Sequence, residues 1–156
     1  MSQPSLFGEE SSGSPRRGSV RAAIANVDGG SRGNPGPAGY GVRIEQEDGT
    51  IVELKESLGV ATNNFAEYNG LLAALRWAAA HGIERLHVRS DSELLVKQMK
   101  GEYRVKNPGL LPLFEEARGL ARRIGSVRFE HVRRELNKDA DRLANEAMDA
   151  AAATQP

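Results

Sequence analysis

The sequence predicts an α/β layer structure around a five-stranded mixed sheet, with three antiparallel strands followed by two parallel ones and helices on the faces. Short segments with strand-like patterns come three in a row before the first long, alanine- and leucine-rich helix. Two further strand patterns then alternate with helices, which indicates crossover connections that bring the fourth and fifth strands parallel to the first. At 156 residues, the chain has room for one such domain.

The first three strands are predicted from their side-chain patterns and from the turns between them. A short apolar segment at 21–27 favours a buried strand that ends at Asp28, where glycines and prolines begin. Residues 40–45 alternate apolar and polar side chains, and Asp48-Gly49 predicts a hairpin turn into a third strand at 51–58. We therefore expect these three strands to pair antiparallel.

The rest of the folded chain alternates helices and strands. The segment Thr62-Asn63-Asn64 offers an N-cap for a helix predicted over 65–81, which Gly82 ends. The remaining predicted elements are a strand at 86–91, a short helix at 92–99, a basic loop at 101–108, a helix at 110–124, a strand at 127–132 and a last helix at 138–150.

Composition narrows the classes of function. The 21 Lys and Arg residues balance 21 Asp and Glu residues, so a nucleic-acid surface would have to come from local clustering. The absence of cysteine excludes disulfides, thiolate metal sites and a cysteine nucleophile. Since no segment resembles a membrane span or an export signal, we expect a cytoplasmic protein without a membrane partner, and we expect a monomer.

Composition also predicts the domain boundaries. Residues 1–19 are rich in Ser, Gly, Pro and Glu and are predicted to form a disordered tail. Within the tail, Arg16 and Arg17 leave two interpretations open, a contact with a phosphate backbone and a solvated linker. The folded domain is predicted to cover residues 20–150, and residues 151–156 are predicted to be a frayed C-terminus.

Four carboxylates are candidates for one site. Asp28 and Asp91 each follow a predicted strand, and sites in open α/β sheets form at the carboxyl ends of the parallel strands. Glu67 shares a helix face with apolar residues, so it points toward the sheet, and Asp141 lies on the apolar line of the last helix. Two alternatives stay open, a simple Asp-Gly turn at Asp28 and a favourable helix-dipole interaction at Asp141.

A set of carboxylates of this kind favours hard divalent cations. Oxygen ligands without cysteine or a histidine cluster suit Mg²⁺, which Mn²⁺ can replace. Without cations, four carboxylates crowded together would repel one another. Two ions about 4 Å apart would neutralise them and stabilise an in-line displacement at phosphorus. The pattern therefore predicts two-metal phosphoryl chemistry.

Four segments resemble the signature segments of type 1 ribonuclease H, in the family's order and spacing, within about 20–148. The resemblance implies the family's fold, two Mg²⁺ ions per site and hydrolysis of the RNA strand of RNA–DNA hybrids, which leaves 3′-hydroxyl and 5′-phosphate ends. The segments are DGGSRGNPG at 28–36, TNNFAE at 62–67, SDS at 90–92 and NKDADRLAN at 137–145.

The resemblance also implies roles for the four carboxylates. Asp28 would bridge both metals, and Asp141 would hold the metal that activates the attacking water. Glu67 and Asp91 would hold the metal on the leaving-group side. In addition, Glu67 would sense a 2′-hydroxyl, which is the group that distinguishes RNA from DNA.

Other positions match substrate-binding residues of the family. Asn34, Asn63 and Asn64 match asparagines that line the minor groove, and Thr62 matches a residue that contacts a phosphate of the DNA strand. Better-studied bacterial members also carry a basic helical protrusion, for which this chain has only the loop at 101–108. Arg104 and Lys106 are therefore predicted to bind the substrate in its place.

A second departure concerns the loop before the last aspartate. The same bacterial members place a mobile histidine there, whereas His131 falls in the predicted fifth strand. The short loop at 133–138 resembles instead a compact subfamily, in which an arginine matching Arg134 takes the histidine's place. We therefore expect Arg134 to act beside the metal that activates water.

Two alternative functions stay open. Some compact members are thought to cut double-stranded RNA as well, so that RNA duplexes are a second candidate partner. A non-catalytic module that binds hybrids on the same fold is the other alternative. Retention of all four carboxylates argues against it. A nucleotide-binding doubly wound domain is excluded, because the glycines after Asp28 match neither phosphate-loop pattern and no helix follows them.

Overall fold

A computed structural model describes residues 20–154. The strands are β1 (Ala22–Ser31), β2 (Gly36–Gln46), β3 (Ile51–Ala61), β4 (Arg85–Ser90) and β5 (Ser126–His131). The helices are α1 (Asn63–Ala80), α2 (Glu93–Met99), α3 (Leu111–Ile124) and α4 (Lys138–Ala153). A single 3-10 turn, Arg134–Leu136, precedes α4.

The five strands form one mixed sheet in the order β3-β2-β1-β4-β5. β1 pairs antiparallel with β2, and β2 pairs antiparallel with β3. On the other side, β1 pairs parallel with β4, and β4 pairs parallel with β5. This topology confirms the predicted fold class.

The two faces of the sheet are covered by different helices. The main core lies between one face and helices α1 and α3, and its central side chains include Val27, Val42 and Val88 from the strands and Leu71 and Leu75 from α1. Helix α4 packs on the opposite face, over β2, β3 and β1. β1 is therefore covered on both faces, so polar side chains on this strand are shielded from solvent.

The ends of the elements follow the predicted capping and turn signals. Thr62 caps α1, because its Oγ1 accepts a hydrogen bond from the Phe65 backbone N at 3.2 Å. Gly82, at φ +69°, ends the same helix. The hairpin turn between β2 and β3 is at Asp48-Gly49, where Asp48 Oδ1 accepts from the Thr50 backbone N at 2.9 Å. Within residues 20–154, no helix is long and apolar enough to cross a membrane.

Several predicted boundaries are wrong. β2 begins at Gly36 instead of residue 40, and β3 ends at Ala61 instead of residue 58. β1 does not end at Asp28 but continues to Ser31, because the residues from Asp28 onward keep their antiparallel pairing with β2.

Helix α4 continues past its predicted end at residue 150 to Ala153, with Ala151 1% exposed and residues 152–154 exposed. Burial of Ala151 explains why the helix extends beyond residue 150, and fraying of the C-terminus stays a prediction. The predicted tail at 1–19, with Arg16 and Arg17, lies outside the described residues.

Candidate active site

Asp28 lies on β1 directly after the point where the parallel pairing with β4 ends. Val27 pairs with Ser90, the last residue of β4, and the next residue of each strand is an aspartate, Asp28 or Asp91. The chain then turns into α2, with the Ser92 backbone N donating to Ser90 Oγ at 3.0 Å. Both aspartates therefore lie at the carboxyl end of the parallel part of the sheet, as predicted.

Close packing of α1 on β1 brings Glu67 to the same place. A Cβ atom at Gly29 would lie 2.5 Å from the backbone carbonyl carbon and oxygen of Ala66, a distance that no side chain tolerates. Only glycine at this position allows the helix to approach the strand so closely. Because Glu67 follows Ala66 directly, the approach places its carboxylate beside Asp28.

Helix α4 approaches from the other face in the same way. Gly41 is the register partner of Asp28 on β2, and a Cβ atom there would clash with Leu143 and would lie 2.5 Å from the Ala140 carbonyl oxygen. The missing side chain lets the first turn of α4 rest on the sheet. Asp141, which lies in that turn, thereby reaches Asp28.

The four carboxylates interact electrostatically. Burial raises the pKa of Asp28 to about 8, together with the charges of Asp91, Asp141 and Glu67 and a hydrogen bond with the Asp141 carboxyl group. Burial also raises the pKa of Glu67 to about 7, although a hydrogen bond with Ser92 opposes the shift and the charge of Asp91 adds to it. Without metal, the site therefore holds protons near neutral pH.

Arg134 is the predicted catalytic cation, and the structure places it in the 3-10 turn before α4. Its Nε lies 3.9 Å from Oδ2 of Asp91, while its side chain is 83% exposed. The guanidinium therefore lies beside Asp91, the residue that follows β4. Its expected place beside the metal that activates water stays a prediction.

Two of the predicted substrate-binding asparagines join the glycine-rich loop to the start of α1. Oδ1 of Asn34 accepts from the Asn63 backbone N at 3.0 Å, and Oδ1 of Asn63 accepts from the Ser31 backbone N at 2.8 Å. Thr62 and Asn64 flank Asn63 and are exposed. Together these residues form one polar surface beside the carboxylates of Asp28 and Glu67.

The loop between α2 and α3 carries the other two predicted substrate contacts. Arg104 and Lys106 are exposed on either side of Val105, which is buried. Among the contacts of residues 20–154, none joins either side chain to the four carboxylates. The segment forms a loop without a helical protrusion, as predicted.

Three further residues at the site have no role in the sequence prediction. Ser92 caps α2 by accepting from the Leu95 backbone N at 3.2 Å, and it also hydrogen-bonds to Glu67. The signal was its position directly after Asp91, at a helix start. Asn26 and Asn137 are each 1% exposed. An asparagine inside the apolar pattern of β1 was the corresponding signal, because buried amides need specific partners.

The four carboxylates suit divalent cations by their chemistry. Hard oxygen ligands are what Mg²⁺ and Mn²⁺ prefer, and a cation would relieve the repulsion that adds to burial in raising the pKa of Asp28. In residues 20–154, however, no three Asp, Glu or His side chains are arranged as a ready metal-binding group.

Comparison with known proteins agrees with this geometry. A family model described as reverse transcriptase-like matches residues 26–147. The structure of the N-terminal RNase H domain of Rv2228c from Mycobacterium tuberculosis, solved as a fusion with maltose-binding protein, is 47% identical with a TM-score of 0.83, and the match covers 86% of this chain and 99% of that one. The chain belongs to the type 1 ribonuclease H family.

A second solved structure and the sequence of the whole Rv2228c protein also place the chain within this ribonuclease H family. LC11-RNase H1, solved in complex with an RNA/DNA hybrid, is 43% identical with a TM-score of 0.78, and the match covers 83% of this chain and 99% of that one. The full bifunctional protein Rv2228c of M. tuberculosis is 50% identical over 131 residues, which are 83% of this chain and 36% of that protein. The ribonuclease H chain thus spans about a third of the length of this relative.

Proposed function

We propose that this chain hydrolyses the RNA strand of RNA–DNA hybrids as a divalent-metal-dependent endoribonuclease that leaves 3′-hydroxyl and 5′-phosphate ends. The observation that carries the proposal is the convergence of Asp28, Glu67, Asp91 and Asp141 at the carboxyl end of the parallel strands. Burial, together with the charges of the other three carboxylates, raises the pKa of Asp28 there to about 8. The RNA/DNA hybrid bound to a relative of 43% identity supports the choice of substrate.

The four carboxylates would hold two Mg²⁺ ions, or Mn²⁺ in their place, with Asp28 shared between the ions. When bound, such ions supply a polarised water nucleophile and neutralise charge at the phosphate. Asp28 must release its proton before it can act as a ligand, so metal affinity rises with pH up to about 8. We assign Asp141 to the side of the attacking water, and Glu67 and Asp91 to the side of the leaving group.

Arg134 would act on the phosphate rather than on a proton. A guanidinium stays charged at all physiological pH values and matches two phosphate oxygens with its planar fork. Its weak ion pair with Asp91 leaves most of the side chain exposed to an incoming substrate. We therefore assign Arg134 to holding the scissile phosphate or to assisting departure of the product phosphate.

The polar surface at the start of α1 would read the hybrid. The Oδ1 atoms of Asn34 and Asn63 already accept backbone hydrogen bonds. Their Nδ2 groups would then donate to acceptors in the minor groove, where 2′-hydroxyls distinguish RNA from DNA. In this arrangement Asn64 extends the same surface, Thr62 contacts a DNA phosphate, and Arg104 and Lys106 bind the backbone farther along.

A cleavage assay on four substrates of one sequence tests the proposal. The substrates are an end-labelled RNA paired with DNA, the same RNA paired with RNA, the RNA alone and the DNA duplex, each with Mg²⁺, with Mn²⁺ and with EDTA. We expect metal-dependent cleavage of the RNA strand of the hybrid. Binding of the hybrid without cleavage in either metal would favour the non-catalytic module, and cleavage of the RNA duplex would extend the substrate range. Cytoplasmic location and a monomeric state stay predictions.

A further inference from the structure

Two buried asparagines connect the strand that carries Asp28 to the helix that carries Asp141. Nδ2 of Asn26 donates to Oδ1 of Asn137 at 3.0 Å, and Nδ2 of Asn137 donates to the Val27 carbonyl oxygen at 2.9 Å. Nδ2 of Asn26 also lies 3.3 Å from the Leu136 carbonyl oxygen. These contacts join residues that are 110 or 111 positions apart in the chain.

The location of this asparagine pair relates it directly to the two aspartates. Asn26 lies two residues before Asp28 on β1, and Val27 lies directly before it. Asn137 lies one helical turn before Asp141, whose backbone N donates to the Asn137 carbonyl oxygen at 3.0 Å. The pair therefore joins β1 to the start of α4, two residues from Asp28 on the strand and one helical turn from Asp141 on the helix.

The chemistry of Asn26 argues that the pair serves position rather than stability. Its Oδ1 is buried without a hydrogen-bond partner among residues 20–154. A buried amide oxygen without a partner is costly, and an alanine or leucine at this core position would avoid that cost. Buried polar groups that are kept at such a cost are best explained by the unique arrangement they impose.

Two ion pairs between α4 and the sheet are less suited to this task. Arg43 Nε lies 3.5 Å from Oδ2 of Asp139, and Lys55 Nζ lies 2.8 Å from Oε1 of Glu146. Both are ion pairs with at least one solvent-accessible partner, and such pairs hold geometry loosely. By contrast, the amide hydrogen bonds of Asn26 and Asn137 are buried and directional.

We propose that Asn26 and Asn137 are positioning residues, which hold the strand of Asp28 and the helix of Asp141 in the relative position from which both carboxylates can reach a shared divalent metal. This inference rests on the proposed metal-dependent function. Two carboxylates that repel each other would move apart if the helix could shift on the strand. A rigid frame beneath them lowers the cost of bringing them to one cation.

The test is Mn²⁺ binding to the full chain without substrate, measured by titration calorimetry. We expect Asn137→Ala, which loses the contacts with both Asn26 and Val27, to weaken Mn²⁺ affinity by about tenfold or more. Asn26→Ala keeps the bond from Asn137 to Val27, so its loss should be smaller but measurable. Saturating Mn²⁺ should then restore hybrid cleavage by both variants, because their defect is in metal affinity.

Ile124→Ala is the matched control. Ile124 is 6% exposed at the end of α3, beside the start of β5 and at the opposite end of the sheet from the carboxylates. It should lower the melting temperature without changing Mn²⁺ affinity. Parent-like Mn²⁺ affinity of Asn137→Ala would overturn the proposal, and if that variant does not fold, parent-like affinity of Asn26→Ala would do so. If the parent binds Mn²⁺ but does not cleave hybrids, only the proposed function fails.

Discussion

Arg134 Nε lies 3.9 Å from Asp91 Oδ2, although the Arg134 side chain is 83% exposed and the Asp91 side chain is 14% exposed. An ion pair this long, with one partner in solvent, contributes little to the stability of the fold. The arginine therefore lies near the carboxylates, but its weak ion pair leaves it free to bind another group. It has the exposure that a residue contacting a substrate phosphate needs.

Arg134→Ala is expected to lower kcat for hybrid cleavage by about tenfold, or about 1.4 kcal/mol. Its melting temperature should stay close to that of the parent, because the substitution removes only the weak ion pair with Asp91. Arg134→Lys should recover only part of the rate, because the ammonium cannot form the two parallel hydrogen bonds of a guanidinium. Single-turnover cleavage rates and thermal melts measure both effects.

Arg133→Ala serves as the control for this loop. Arg133 is exposed at the start of the same 3-10 turn, and we expect its removal to change the rate less than that of Arg134. If Arg133→Ala were the slower variant of the two, the match of Arg134 to the family's catalytic arginine would be shifted by one residue.

Gly41→Ala is expected to destabilise the protein, because the new methyl group would clash with Leu143 at the contact between β2 and α4. Overpacking of this kind costs about 1–3 kcal/mol, and the displaced helix should also reduce cleavage. Gly119→Ala, in α3, is the matched control. Its Cβ meets nothing within 4 Å, so the better helix former should stabilise by about 0.5–1 kcal/mol. Urea unfolding curves that showed equal stability for the two variants would contradict the close approach of α4.

The affinity for the RNA–DNA hybrid is expected to depend only weakly on salt concentration. The chain has zero formal net charge and lacks a basic protrusion between α2 and α3, so few cations should meet phosphates. The slope of log affinity against log salt concentration should therefore be shallow, and Arg104→Ala with Lys106→Ala should make it shallower still. Hybrid affinities at several salt concentrations measure both slopes. An unchanged slope and affinity in the double variant would mean that other side chains bind the substrate phosphates. The next candidates are Arg118, Arg122 and Arg123.

The metal-free protein should lose stability as the pH rises toward 8. The pKa of Asp28 is about 8 in the folded state, against a usual 3.8, so between these values the folded state binds a proton that the unfolded state has released. Stability is therefore greatest at the acidic end of this range and declines through pH 8. Asp28→Asn should flatten this decline and melt higher than the parent near pH 8. Melting in EDTA from pH 5 to 9 checks this, and parallel curves for the two proteins would contradict the burial of Asp28.

Much of this architecture was predictable from local signals. Alternation at 40–45, the Asp48-Gly49 turn and the N-cap signal at 62–64 each specify a local structure, and the order of the elements indicated the mixed sheet. The end of β1 was not predictable in this way. Glycines after Asp28 indicate a turn when read alone, and only pairing with β2 shows that the strand continues to Ser31.

The features of the site that the sequence did not predict were missed for a similar physical reason. The four carboxylates were recognisable because each interrupts an apolar pattern or follows a strand. The hydrogen bonds of Asn26 with Asn137 depend on how α4 packs on β1, across 111 positions of the chain, and no local pattern specifies such a contact. For the same reason, the position of the Arg134 side chain beside Asp91 required the structure.

The most direct test of the central claim is single-turnover cleavage of an RNA–DNA hybrid by the parent and by Asp28→Asn in saturating Mg²⁺. The substitution preserves shape, but an amide cannot bridge two cations as a carboxylate does. We predict that the variant folds, melts at or above the parent temperature without metal, and loses nearly all hydrolysis. Cleavage by Asp28→Asn within about tenfold of the parent rate, a barrier change of only about 1.4 kcal/mol, would contradict the assignment of these carboxylates as the catalytic centre.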